Sequence, residues 1–358
     1  MRVTIQTLNR TALLALAPFA GILIWLFSST IAIELSQEAV PKLTEAGGAS
    51  SAQVWTETAA GLDQANVTAV QTGEAIKKQL DLYQKTNSEM NGIAKTAAAQ
   101  ASRPLAIYDA KITARLGKPA ATIQSSKLRA QLFYLKHDNF RSYAVKIQLK
   151  ADGAMQMVMG GDQLGDAQTT LQAVTKHQAA VGVNAGGYAD GGGKRYPLST
   201  TMVEGEYVSG FQASFNDLFF VGLSENNKLI GGKFASREQL DAKKPQFGAS
   251  FVPILLRSGV PQPIPLKWQT SPKRAPRTVI GNYRDDQLLI FVTDGYNEYG
   301  SSGATLAELQ TLLKKYGVID AYNLDGGGSS TLVFNGKLIN KPSDGSMRKL
   351  PTHFLFFK

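Results

Sequence analysis

Two acids each stand before glycine at the end of an apolar run: Asp294 in "LLIFVTDG" and Asp325 in "YNLDGGGSSTLVF". An ordinary turn needs one or two glycines. Three after a carboxylate, Gly326, Gly327 and Gly328, imply backbone that lies close to something else. The same run offers main-chain N–H donors and the hydroxyls of Ser329 and Ser330, a combination able to wrap an anion. The chain has no cysteine, which excludes disulfides, thiolate catalysis and zinc–thiolate sites. Its only imidazoles, His137, His177 and His353, are far apart in sequence and argue against a Ser-His-Asp triad or a His-rich metal site. Acid–base chemistry is therefore expected on carboxylates, with no metal and no cofactor. Nucleotide loops are also unsupported, since no Gly-Lys-Ser/Thr follows the glycines and neither G-x-G-x-x-G nor G-x-S-x-G accompanies them.

The elements that must position the two acids read as strand, helix and strand. Residues 287–293, "QLLIFVT", form a buried-type strand ending at Asp294. Residues 305–316 form a helix with a capping box at Thr305 and Glu308, a stop at Gly317, and an apolar face of Leu306, Leu309, Leu312, Leu313 and Tyr316. Residues 318–324, "VIDAYNL", form the next strand and end at Asp325. Such a unit predicts parallel strands with a right-handed crossover and a ligand site beyond their carboxyl ends. If the strands are neighbours, their backbones lie about 4.8 Å apart and the two carboxyl groups flank one small site. Either acid alone could equally start a turn or cap a local N–H.

Around this unit, "RAQLFYLK" and "RSYAVKIQLK" read as strands with basic outer positions. "DLFFVGLSENNKLIGG" and "TLVFNGKLIN" read as hairpins, the second turning at Asn335-Gly336. Upstream, residues 11–33 carry no charge, are long enough to cross a bilayer, follow Arg2 and Arg10, and precede Glu34. They are expected to form an uncleaved anchor, with a cleaved signal peptide as the rival. This puts the protein in the cell membrane, single-pass, with an extracytoplasmic body. Leu62, Ala69, Ile76, Tyr83, Met90 and Ala97 then recur every seventh residue, as a helical spacer or a self-associating coiled coil. The predicted fold class is a mixed α/β (α+β) body whose mixed sheet contains the strand–helix–strand unit, preceded by a transmembrane helix and a helical stalk. The domains are residues 1–34, 35–103 and 104–358.

"NLDGGGSSTLVFNGKLINKPSDG", with "PRTVIG" at 276–281, "VTDG" at 292–295 and "VNAGGYAD" upstream, resembles the phosphodiester glycosidase family over roughly residues 131–358. The resemblance implies hydrolysis of a sugar-1-phosphodiester, releasing the sugar and a phosphomonoester. It implies catalytic roles for Asp325 and for Asp294 as second carboxylate, and a bidentate phosphate contact from Arg277 beside Thr278. Asn184, Asn323, Ser329 and Ser330 would bind sugar hydroxyls, and Gly186, Gly187 and Gly326 to Gly328 would let backbone approach the substrate. Two departures stand out. Tyr296 follows the earlier Asp-Gly where relatives often have Arg, and Gly-Gly-Gly-Ser-Ser stands where many have Gly-Gly-Ser-Ser-Ser. Arg277, Arg348 or Lys194 would take over the phosphate contact.

The formal charge is +10, from 38 Lys+Arg against 28 Asp+Glu, which favours anionic partners. The expected substrate is a phosphoglycan, teichoic-acid-like polymer or exopolysaccharide. The alternative is a non-catalytic surface protein that binds anionic glycans in exopolysaccharide or cell-wall assembly. No nucleic-acid-binding motif is present, and no nucleic-acid partner is expected.

Overall fold

The structure, a computed structural model, describes residues 51–161, 163–295 and 302–358. Two compact units share the chain, one ending at Gly92 and the other spanning Ile93–Lys358. The expected anchor at 11–33 lies outside the described residues, and among those described no helix is long and apolar enough to cross a membrane. The fold class is corrected accordingly to a long helix and an α/β body, with no transmembrane helix among the described residues, and the single-pass membrane location is dropped with it.

The helix runs Ser51–Leu116 and contains Pro104. Its heptad positions Leu62, Ile76, Tyr83 and Met90 are all exposed. Its last turns are different. Ile112 and Leu116 are buried against Phe133, Val279 and Leu289. Asp109 accepts from Lys146 Nζ at 2.5 Å, and Lys146 also lies 2.6 Å from Thr113 Oγ1. Lys146, expected on the outer side of its strand, is 2% exposed. It shares a sheet face with its register partner Leu289, and that face lies under the helix.

The central sheet has eight strands, in the order Ala121–Gln124, Leu128–Lys136, Arg141–Leu149, Leu288–Thr293, Arg277–Asn282, Asp320–Leu324, Ile254–Arg257 and Val260–Pro261. Every neighbouring pair is antiparallel. The strands that lead into Asp294 and Asp325 are parallel to each other, but they are not neighbours. Arg277–Asn282 lies between them, antiparallel to both. The expectation of adjacent strands in a mixed sheet is thus corrected: the acids stand about two strand spacings apart, roughly 9.6 Å.

Both faces of this sheet are covered. Leu288, Ile290 and Val292 pack with Val181, Val183, Phe219, Phe247, Leu332 and Phe354 of two five-stranded sheets. Leu289 and Phe291 pack on the opposite face with Leu306, Leu309, Leu313 and Tyr316 of the helix Leu306–Tyr316. That helix has the expected capping box at Thr305 and Glu308 and ends at Gly317 in the left-handed region, φ 86°. Both expected hairpins form. Phe219–Ser224 pairs with Leu229–Gly232, and Leu332–Phe334 pairs with Lys337–Leu338 through Asn335 (φ 50°) and Gly336 (φ 73°).

His353 sits in the strand Thr352–Phe356, fully buried, with Nδ1 3.2 Å from Thr170 Oγ1. Burial lowers its pKa from 6.5 to about 4. Between those values the unfolded chain binds a proton that the folded chain does not, so this residue's contribution to stability is complete above pH 6.5 and lost as pH falls. Urea titrations at pH 7 and pH 4 should therefore show His353→Gln gaining about 3 kcal/mol on wild type as the pH is lowered. A difference independent of pH would contradict a neutral buried imidazole.

Candidate active site

Asp325 leaves the end of Asp320–Leu324 where three segments meet. Its N–H donates to Ala185 O at 3.2 Å, and its carbonyl accepts from Asn184 Nδ2 at 2.6 Å. Asn184 is fully buried, and its Oδ1 accepts from Thr278 Oγ1 at 2.9 Å and from Thr331 N at 3.1 Å. Thr278 Oγ1 also lies 3.1 Å from Ser330 Oγ. One amide thus joins three strands, Val181–Asn184, Arg277–Asn282 and Asp320–Leu324, to the segment that follows the glycines, and it fixes the backbone of Asp325. A buried amide bonded through both its nitrogen and its oxygen is costly to disturb, which makes this a rigid mounting.

The Asp325 side chain is held differently. Its Oδ2 is buried without a hydrogen-bond partner. Burial raises its pKa from 3.8 to about 6; the Ser329 hydroxyl, the Arg348 and Arg195 charges and the Gly326 N–H act against that rise. Asn323, two residues earlier and within the strand, donates from Nδ2 to Val252 O at 2.6 Å and also keeps an unpartnered buried Oδ1. Two unsatisfied buried oxygens thus lie within three residues at the end of this strand, one of them on a carboxylate that burial raises to about 6. Such groups concentrate at sites that bind or react.

Arg348 supplies the cation. Its Nη1 lies 3.3 Å from both Ser329 Oγ and Tyr188 Oη, while Nη2 and Nε reach Asp344 Oδ2 at 2.5 and 3.1 Å. Arg195 stacks its guanidinium 4.8 Å from the centre of the Tyr188 ring, pairs with Asp190 at 3.0 Å, and donates to the carbonyl of Lys349. Gly326 lies so near Pro276 that an added Cβ would stand 2.9 Å from its carbonyl oxygen. A Cβ on Gly328 would collide with the Asp344–Arg348 pair. At Gly326 and Gly328 other groups occupy the space of a side chain, whereas Gly327 has open space and is needed for its left-handed backbone, φ 61°.

Other expected site residues lie elsewhere. Asp294 is 2% exposed; its Oδ2 accepts from Tyr143 Oη at 2.6 Å and its Oδ1 from Lys341 N at 2.9 Å. Burial raises its pKa, against those two hydrogen bonds and the charges of Arg141 and Lys341. Both oxygens are engaged by the protein, and the residue ties the central sheet to the segment leading to Arg348. The buried guanidinium of Arg277 donates to Ala304 O at 3.3 Å and to Pro272 O at 2.9 Å. Gly186 and Gly187 pack under Ala249 and Phe251 of the strand Pro245–Phe251. Tyr296 lies outside the described residues. Sequence reasoning missed Tyr188, Arg195 and Asp344, although Tyr188 and Asp344 fall inside stretches singled out for their pattern.

The profile of the phosphodiester glycosidase family matches residues 177–357, half of the chain, and takes in Asn184, Arg277, Asp294, Asp325 and Arg348. The chain belongs to the phosphodiester glycosidase family. Among its relatives, N-acetylglucosamine-1-phosphodiester alpha-N-acetylglucosaminidase of Mus musculus is 46% identical over 68 residues, 19% of this chain and 13% of the mouse protein. The SPbeta prophage-derived uncharacterized protein YomE of Bacillus subtilis is 28% identical over 184 residues, 51% of this chain and 28% of that protein. The matched stretches thus cover less than a third of these relatives. The zebrafish N-acetylglucosamine-1-phosphodiester alpha-N-acetylglucosaminidase catalytic domain, auto-inhibited by its pro-peptide, shares the fold: TM-score 0.54, 21% identity, 67% of this chain and 87% of that one.

Proposed function

We propose that this chain hydrolyses a sugar-1-phosphodiester, with the GlcNAc-1-phosphodiester named in its relatives as the first substrate to try, and that residues 104–358 form the domain that does so. The observation that carries the reading is the buried, unpartnered Oδ2 of Asp325 close to the Arg348 guanidinium, at the end of a strand inside the family segment. In the reaction the bond from the anomeric carbon to the phosphate oxygen breaks, and the oxygen leaves with the phosphate. Water supplies hydroxyl to the sugar, and its proton passes to the phosphate product or to solvent. A phosphate leaves without much protonation, so the site needs one carboxylate against the oxocarbenium-like centre more than it needs a strong general acid.

Asp325 is that carboxylate, either attacking the anomeric centre or activating the water. Arg348, which already reaches Ser329 and Tyr188, takes the phosphate as a charge-assisted contact. This role passes from Arg277, whose guanidinium is engaged by two carbonyls. Asn323 Oδ1 accepts from a sugar hydroxyl or N–H. Asn184 and Asp294 hold the frame. The net charge of +10 favours a substrate with several phosphates, such as a phosphoglycan, a teichoic-acid-like polymer or an exopolysaccharide.

The test is incubation of the purified chain with a GlcNAc-1-phosphodiester, measuring free GlcNAc. Release by wild type and its loss in Asp325→Asn support the reading. No release from any sugar-1-phosphodiester tried would leave a protein that binds anionic glycans without turning them over.

A further inference from the structure

The Arg348 guanidinium is not idle in the substrate-free protein. Asp344 spans two of its nitrogens with a single carboxylate oxygen, at 2.5 Å from Nη2 and 3.1 Å from Nε. The same oxygen lies against Gly328, in the space that a Cβ there would fill. The Asp344 carboxylate therefore rests between the cation and the glycine surface, on the ground that the anion of a substrate would use. The pair is only half-withdrawn from water, with side chains 31% and 43% exposed, and Gly345 follows in a left-handed conformation at φ 77°. The opposite Arg348 nitrogen, Nη1, faces Ser329 and Tyr188 instead.

We propose that Asp344 is a built-in competitor for phosphate: its carboxylate occupies the Arg348 fork until the phosphate of the substrate displaces it, and it thereby sets substrate affinity. This rests on the assignment of Arg348 to the phosphate. Exchange of one anion for another keeps the guanidinium paired in both states, and so avoids the penalty of a partly buried cation left alone. It also favours phosphate over carboxylate ligands, because a phosphate group offers more acceptor oxygens to the fork and to the N–H groups of the glycine run than the single oxygen Asp344 uses. The released Asp344 turns outward to water, which its exposure already allows.

The experiment is calorimetric titration of the full chain with inorganic phosphate at fixed ionic strength, on wild type, Asp344→Asn, Arg348→Gln and Asp190→Asn. Asp190 is the control because it too is an acid paired with a nearby cation, Arg195. Removing the competitor should tighten phosphate binding about two- to fivefold, the range expected when a partly exposed ion pair no longer has to be broken. Asp190→Asn should tighten it less, and Arg348→Gln should weaken it at least tenfold. The KM for the phosphodiester should fall in Asp344→Asn by a factor similar to the gain in phosphate affinity. Unchanged or weaker phosphate binding in Asp344→Asn, with Arg348 still required, would overturn the competitor role alone. Phosphate binding indifferent to Arg348 would overturn both this inference and the site assignment beneath it. The exchange pattern without any turnover would leave the inference standing and remove only the chemistry.

Discussion

Asp325→Asn is expected to lower turnover of a sugar-1-phosphodiester by about 10⁴-fold or more, while making the protein more stable at neutral pH. The first half follows from the role of the residue: losing an essential catalytic group costs that much in comparable hydrolases. The second half follows from its environment. Burial raises the carboxyl from 3.8 to about 6. A carboxylate whose folded pKa lies above its unfolded one binds its proton more tightly when folded, so it costs stability as pH rises through that window. At pH 7 the charge is mostly present and the cost is about 3 kcal/mol; at pH 4 it is below about 1 kcal/mol. Asparagine keeps the shape and loses the charge. The variant should thus unfold at higher urea than wild type at pH 7, with the gain shrinking toward pH 4. In wild type, kcat/KM should rise through about pH 6 as the carboxylate forms. A variant that is inactive but less stable at pH 7 would mean that the charge is compensated in the fold and is not held ready for a substrate.

This effect and that of His353 oppose each other across nearly the same pH range. Acidification stabilises the fold through Asp325 and destabilises it through His353. A wild-type stability profile alone would conceal both, which is why each is read as a difference between variant and wild type. The arrangement also states what the site costs. A carboxylate with one buried oxygen left unpartnered, at the end of an interior strand, is tolerated because the Asn184 network and the apolar layers around it hold the strand end in place.

How far the sequence reached this site depends on what each signal encodes. Capping, the Asn335-Gly336 turn and the apolar face of Leu306–Tyr316 are local, and the structure has them where the residues place them. The sheet order is not local. "LLIFVT" is buried on both faces, and a continuous apolar run is the usual mark of a parallel strand between helix layers. Here an antiparallel sheet achieves the same burial, with helices on one face and two further sheets on the other. Nothing in the run itself tells these apart, and the insertion of Arg277–Asn282 between two strands linked by a helix is decided by contacts with segments more than 90 residues away, such as Val181–Asn184. The same limit explains the residue roles. Asp294 and Asp325 look alike in sequence, each at a strand end before glycine. Only the fold gives one of them Tyr143 and Lys341 as partners and leaves the other with a free oxygen.

Lys146 makes the last case, because its sequence context reads as solvent-facing while its structure is a buried anchor for the end of the long helix. Removal of residues 1–92 is expected to leave a folded chain that retains turnover, whereas removal of residues 1–116 is expected to prevent stable folding. Among the described residues, the first deletion takes only helix, exposed from residue 54 onward. The second uncovers the surface that Ile112 and Leu116 occlude and strips Lys146 of Asp109 and Thr113, leaving an ammonium without its charge partner on a sheet face built for apolar contact. Burial already pulls the Lys146 pKa down, whereas Asp109, which is more exposed and also faces Arg129, is held below its usual range once Lys146 and Arg129 outweigh its own burial. The asymmetry predicts unequal substitutions. Asp109→Ala should cost about 3 kcal/mol, because it leaves the more buried charge alone. Lys146→Met should cost much less, because methionine fills a similar volume and Asp109 keeps Arg129 and water. Urea denaturation of the two variants decides it: equal losses would mean that the pair acts as a surface salt bridge, and a larger loss in Lys146→Met would mean that the lysine stem, not its charge, holds the helix to the sheet.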